Sequence, residues 1–113
     1  MNQGEIWLIN LDPTIGAEIK KTRPAIIVND DTLGKLPLRI IVPLTDWKEQ
    51  FAVAPWMIRV IPNNINNLKK LSAADCYQVR SISEQRFVKQ IGKVEKIILE
   101  SIQDGLARVL SIL

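Results

Sequence analysis

Histidine is absent from the 113 residues, and cysteine occurs once, as Cys76. Those two shortages exclude a good deal of chemistry. Ser-His-Asp and Cys-His arrangements, histidine acid/base catalysis and the usual zinc sites cannot be assembled from this chain alone. A lone thiol closes no internal disulfide and has no CxxC partner, which agrees with a reducing compartment. Gly-rich phosphate loops are missing too: Gly16 and Gly34 are isolated turn glycines, without a P-loop or dinucleotide fingerprint around them. No run approaches the roughly 18 apolar residues of a membrane span. There is no solenoid-period repeat, low-complexity tract or linker. The expectation is a protein without metal or organic cofactor and without a membrane partner. Its chemistry must come from Arg, Lys, Asp, Glu, Ser, Thr, Tyr or the one thiol.

What remains is an ordinary globular composition, 47% hydrophobic and 24% charged. At this length it predicts one domain over residues 1–113. The net charge of +3 permits an anionic partner without demanding one. The opening "MNQGEIWLINLDP" carries acid and amide residues where a secretory signal has cations before an apolar core, so the expected compartment is the cytoplasm.

Periodicity supplies the elements. "GEIWLINLDP" alternates and stops at Asp12-Pro13, as a strand entering a turn does. "PAIIVN" is a short β-branched run with Pro24 as its expected first residue. "LRIIVPLT", "WMIRVIP", "ADCYQVRSI" and "RFVKQIGKV" complete six expected strands, with Pro43 expected at an edge or bulge because proline cannot donate to a ladder. From Val94 to Leu113 the period becomes helical, with Ile98, Ile102, Leu106, Val109, Leu110 and Leu113 on one side. Gly105 weakens that helix by about 1 kcal/mol relative to alanine and permits a close approach. Strands followed by one amphipathic helix predict a mainly β fold, a small curved sheet or barrel covered by a terminal helix.

Three clusters carry chemistry. In "EIKKTRPAIIV", Lys20, Lys21 and Arg23 crowd before Pro24. Arg23 at a strand entrance offers a planar fork of donors to phosphate, or else pairs with Glu18 or a nearby aspartate. Thr45 ends "IIVPLT" with a hydroxyl that reaches a phosphate oxygen or caps a turn, and Trp47 beyond it either stacks a base or covers core. In "YQVRSISEQR", alternation puts Gln78, Arg80 and Ile82 on one face, where the two polar groups read unpaired RNA or face solvent. Ser83 followed by Glu84-Gln85-Arg86 reads as a capped helical turn.

In their order, these pieces resemble the MazF/PemK family, toxins of toxin–antitoxin pairs that act as endoribonucleases. "GEIWLINLDPTIGAEIKKTRPAIIVNDD" is similar to the family's opening strand, glycine-acid loop and Arg-Pro-entered second strand. "IIVPLT" and "YQVRSIS" resemble its third strand and its later Q-x-R strand. The resemblance implies an SH3-like β-barrel of the MazF/PemK/CcdB type, working as a homodimer whose groove holds single-stranded RNA. It implies that Arg23 contacts the scissile phosphate with Thr45 as catalytic partner, and that Glu18, Lys20, Lys21, Gln78 and Arg80 lie beside the RNA. Some relatives use an aspartate two residues after the strand arginine and a histidine in the early loop; here the first position is Ile82 and histidine is absent.

The implied reaction is a metal-independent attack of a ribose 2′-hydroxyl on its neighbouring phosphate. Arginine is a poor base, so a perturbed Arg23, Glu18 or water takes the proton. The implied partner is an acidic antitoxin whose disordered tail folds over the groove. Segments 29–37 and 46–55 are expected to shape the base pockets. Two other readings stay open on the same fold: a non-catalytic RNA- or protein-binding module, and a CcdB-type gyrase inhibitor.

Overall fold

The alternating and β-branched runs form seven antiparallel strands in the computed structural model, which describes residues 1–112. They are β1 (Glu5–Asn10), β2 (Thr22–Ile27), β3 (Leu38–Asp46), β4 (Met57–Val60), β5 (Ser72–Asp75), β6 (Arg80–Ser83) and β7 (Phe87–Lys93). The spatial order is β4-β5-β3-β2-β1-β7, with β6 paired to β3 off this path. One helix, α1 (Lys96–Leu110), closes the chain. The architecture is mainly β with a C-terminal helix, as the order of patterns implied.

The extra strand comes from "ADCYQVRSI", which is two strands rather than one. Asp75 accepts a hydrogen bond from Tyr77 N–H at 3.1 Å and starts a short 3-10 turn over Cys76–Gln78. The chain leaves β5 there and re-enters the sheet as β6. Gln78 and Arg80 therefore do not share a strand face, and Ile82, expected beside them, is buried. The expected turn at Glu84–Arg86 is present, with Ser83 Oγ accepting from Gln85 N–H at 3.2 Å.

Both faces of the central strands are covered, which is why "AII" and "IIVPL" read as continuous apolar runs. Ile6, Ile26, Val42 and Leu44 point into one cluster with Val60, Ala74, Cys76 and Ile102 of α1. Ile9, Ala25, Ile27, Ile41 and Ile82 form a second, closed by Trp7, Phe87 and Ile19. The buried polar groups are satisfied: among the described residues no buried side-chain nitrogen or oxygen lacks a partner.

Both strand prolines depart from expectation in an informative way. Pro24 is the third residue of β2, not its first. Val28 N–H donates to Ile40 O at 2.9 Å, so even-numbered residues of β2 and β3 turn their backbone groups toward each other. The missing amide of Pro24 thus faces β3 just where pairing between the two strands ends, at Ala25 opposite Pro43. Pro43 is fully buried in a central strand rather than at an edge. Its nitrogen turns away from β2, toward the break where β3 exchanges one partner for another: β6 along Leu38–Ile41 and β5 along Leu44–Asp46.

The helix is shorter than the sequence period suggested. It runs over Lys96–Leu110 and ends at Ser111 with φ 56°, whose N–H returns to Arg108 O at 3.3 Å. Leu110 is exposed rather than part of the stripe, and Leu113 lies outside the described residues. Gly105 provides the close approach expected of it: a Cβ there would stand 2.8 Å from Cys76 Sγ. Burial, then the charge of Asp75, pushes the Cys76 thiol up to about 12. Among the described residues, no helix is long and apolar enough to cross a membrane.

Candidate functional site

Beyond the Ala25–Pro43 pair the ladder between β2 and β3 stops, and a cavity of about 520 Å³ opens. Leu8, Pro24 and Leu44 give it an apolar base, and Arg23 and Thr45 line it together. The two residues expected to carry catalysis are thus united by the strand ends that hold them. Arg23 Nε donates to Lys20 O at 3.3 Å, and its terminal nitrogens have no acceptor among the described residues. The alternative pairing with Glu18 or an aspartate is not seen among the described residues; Glu18 Oε1 accepts instead from Ile15 N–H at 2.7 Å.

Sequence reasoning missed three cations of this cavity. Lys69 and Lys70 arrive on the connection between β4 and β5, and Lys89 on β7. With Arg23 they set four positive side chains against one carboxylate, Asp46. Lys70 stands 3.8 Å from Asp46, an exposed pair of small energetic weight. The connection is held from within by buried Asn66. Its Oδ1 accepts from Asn63 and Leu68 N–H at 3.0 Å each, and its Nδ2 donates to Ile61 O at 2.9 Å. Asn67 Nδ2 reaches Ile91 O at 2.9 Å, and Lys93 N–H reaches Ile65 O at 3.2 Å, so the connection is tied to β7. The lysine pair in "NNLKKL" and the outward alternation of Lys89 were visible signals; their convergence on Arg23 was not.

Glu18, Gln78 and Arg80 meet in a second cavity of about 460 Å³, with Leu11, Ile19, Pro43 and Tyr77. The polar groups there already serve the loop between β1 and β2. Gln78 Oε1 accepts from Ile19 N–H at 2.6 Å and its Nε2 donates to Ala17 O at 3.2 Å. Arg80 Nη1 donates to Leu11 O at 3.3 Å. Arg86 Nη1 donates to Asn10 O at 3.2 Å and also to Asp12 O.

Lys20 and Lys21 are exposed and line neither cavity. Lys21 sits in the left-handed region at φ 70°, with its N–H on Asp12 Oδ1 at 3.0 Å. Trp47 lines neither cavity; it packs edge-on to Phe51 at 5.9 Å beneath the Arg59 guanidinium. Of the two segments expected to shape pockets, most of 29–37 lines a separate cavity of about 380 Å³, and from 46–55 only Asp46 reaches the Arg23 cavity. Among the described residues, no three of His, Cys, Asp and Glu converge as a metal site.

The chain is 30% identical to the endoribonuclease MazF9 of Mycobacterium tuberculosis over 112 residues, covering 94% of this chain and 92% of that protein. It is 29% identical to the endoribonuclease PemK of Escherichia coli, covering 98% and 83%. In three dimensions it superposes on MazF from Deinococcus radiodurans with a TM-score of 0.79, at 19% identity and covering 98% and 96% of the two chains. A mycobacterial endoribonuclease solved in complex with its cognate antitoxin gives the same TM-score at 15% identity, covering 100% and 97%. The sequence model for PemK-like, MazF-like toxins of type II toxin–antitoxin systems matches residues 2–110, and the chain belongs to that family.

Proposed function

We propose that this protein is the toxin of a type II toxin–antitoxin pair, an endoribonuclease that cuts single-stranded RNA in the cytoplasm through Arg23 and Thr45. The observation that carries the reading is the cavity in which Arg23 and Thr45 stand together among Lys69, Lys70 and Lys89. A phosphodiester entering it meets a guanidinium, a hydroxyl and three ammonium groups. In the proposed step the ribose 2′-oxygen bonds to phosphorus and the bond to the 5′-oxygen of the next nucleotide breaks, leaving a cyclic phosphate and a free hydroxyl. Negative charge grows on the non-bridging oxygens, and Arg23 and Thr45 supply fixed donors there. Loss of one such donor costs about 2.7–4 kcal/mol of barrier.

The 2′-hydroxyl proton needs an acceptor. Glu18 lines the neighbouring cavity, whereas Asp46 is the carboxylate among the residues around Arg23. Asp46 is the better placed base, and Lys70 beside it the better placed donor to the leaving oxygen. No step requires a metal ion. The partners in this reading are a second copy of the chain and an acidic antitoxin, whose carboxylates suit the cations of the cavity.

The test is cleavage of a long unstructured RNA in EDTA, with product ends mapped and Arg23→Ala as control. Discrete cuts sharing a short motif, slowed about 100- to 1,000-fold in the variant, are expected. A folded Arg23→Ala protein that cuts as fast as the parent would overturn the assignment of Arg23. A folded parent that makes no cuts would return the chain to a binding role.

A further inference from the structure

We propose that Gln78 is a positioning residue, which sets the Arg23 guanidinium by docking the loop between β1 and β2 and does not itself read RNA. This rests on the ribonuclease reading above. Gln78 belongs to the 3-10 turn that Asp75 caps, so its backbone is fixed by the sheet end rather than by the loop. From there its amide spans a sequence gap of 59 residues to accept from Ile19 N–H, and donates across 61 residues to Ala17 O. The residue after Ile19 is Lys20, and the Lys20 carbonyl is the acceptor of Arg23 Nε.

The side-chain amide is thus separated from the proposed catalytic guanidinium by the backbone of two residues, Ile19 and Lys20, with a hydrogen bond at each end. The flanks of this segment are fixed independently. Ile19 packs into the second core cluster, and Leu11 N–H donates to Lys21 O at 2.9 Å. Arg80 and Arg86 hold Asn10, Leu11 and Asp12 at the loop's other end. Glu18 ties residue 18 only to Ile15 within the loop, and Gln78 ties residues 17 and 19 to the sheet.

The chemistry suits glutamine. Accepting from one backbone group and donating to another requires both halves of an amide, and reaching both requires its two methylenes. Binding Arg23 through Nε leaves the terminal nitrogens for a phosphate while fixing the plane in which they lie. Displacing a catalytic donor by about 1 Å costs on the order of 100-fold in rate. A loop that carries the acceptor of Arg23 therefore controls turnover without touching substrate.

The experiment compares Gln78→Ala, Gln78→Glu and the parent by ¹⁵N NMR and by RNA cleavage. Glutamate retains an acceptor for Ile19 N–H but replaces the donor to Ala17 O with a charged oxygen that repels it. Expected for Gln78→Ala are fast exchange of the Ile19 amide, a shifted Arg23 Nε–H signal, and kcat lowered about tenfold to 100-fold at every site with the cleavage motif unchanged. In Gln78→Glu the Ile19 amide stays protected and kcat recovers in part.

Parent-like Ile19 exchange and Arg23 Nε–H signal in Gln78→Ala would overturn the proposal. So would a changed motif at undiminished kcat, which would make Gln78 a base reader. If Gln78→Ala does not fold, Gln78→Asn, one methylene short, is read in its place. If the parent cuts no RNA, the NMR arm still decides the relay, and the ribonuclease reading falls separately.

Discussion

Asp75 is a carboxylate with 5% of its surface exposed, placed where β5 gives way to the 3-10 turn. Burial raises its pKa above the ordinary 3.8, against the opposing hydrogen bonds from Tyr77 and Gln78. The folded state then holds the proton more tightly than the unfolded chain does. Stability contributed by this group is present at low pH and falls as pH rises from 3.8 through the folded value. Asparagine keeps an oxygen for Tyr77 N–H and removes the charge. Asp75→Asn is expected to be more stable than the parent in urea at pH 7, with the difference closing at about pH 3 and below. A constant difference across that range would show that the carboxylate is not the cause. At the same scale, Arg23 before one apolar run and Thr45 after another stand out in the sequence, but it was the family resemblance that paired them. The role of Gln78 was not legible there, because its partners lie 59 and 61 residues away.

Among elements, the connection between β4 and β5 depends on a residue outside itself. Gly92 of β7 lies against its backbone: a Cβ there would stand 2.5 Å from Ile65 O and 2.7 Å from Asn66 O. Neither carbonyl can yield easily, since Ile65 O accepts from Lys93 N–H and Asn66 is buried. Gly92→Ala is expected to lose about 1–3 kcal/mol in urea denaturation and to slow RNA cleavage by displacing Lys69 and Lys70. Retention of parental stability would show that the connection gives way freely. The strands and the helix were legible from their periods, 2 and 3.6, which need only neighbours in sequence. The break at Cys76–Gln78 was hidden because a strand and a short capped turn share the same alternation over three residues. Pro43 was misplaced because its missing donor matters only once the change of partner along β3 is known.

For the whole molecule, a net charge of +3 says little about its partner, but the distribution says more. Residues 23, 69, 70 and 89 bring four cations to one cavity. No stretch of sequence contains more than two of them, which is why only Arg23 of the four was singled out from the sequence. Binding to single-stranded RNA releases about 0.7 counterion per phosphate neutralised. With an uncleavable strand carrying 2′-deoxyribose at the cut site, the plot of log affinity against log salt is expected to be shallower by about 1.4 in Lys69→Gln/Lys89→Gln. An unchanged slope would place the phosphates elsewhere.

Pro24 gives the walls of the Arg23 cavity different freedom to vary through descent. Arg23 and Thr45 stand beyond the point where β2–β3 pairing stops, next to Pro24, whose own backbone lacks the donor that would continue it. Lys69 and Lys70 stand on a connection held by three asparagines and one glycine. On the ribonuclease reading, drift in that connection changes which RNA lies across the cavity while Arg23 and Thr45 keep their places. One fold can diversify its targets in this way without rebuilding its blade.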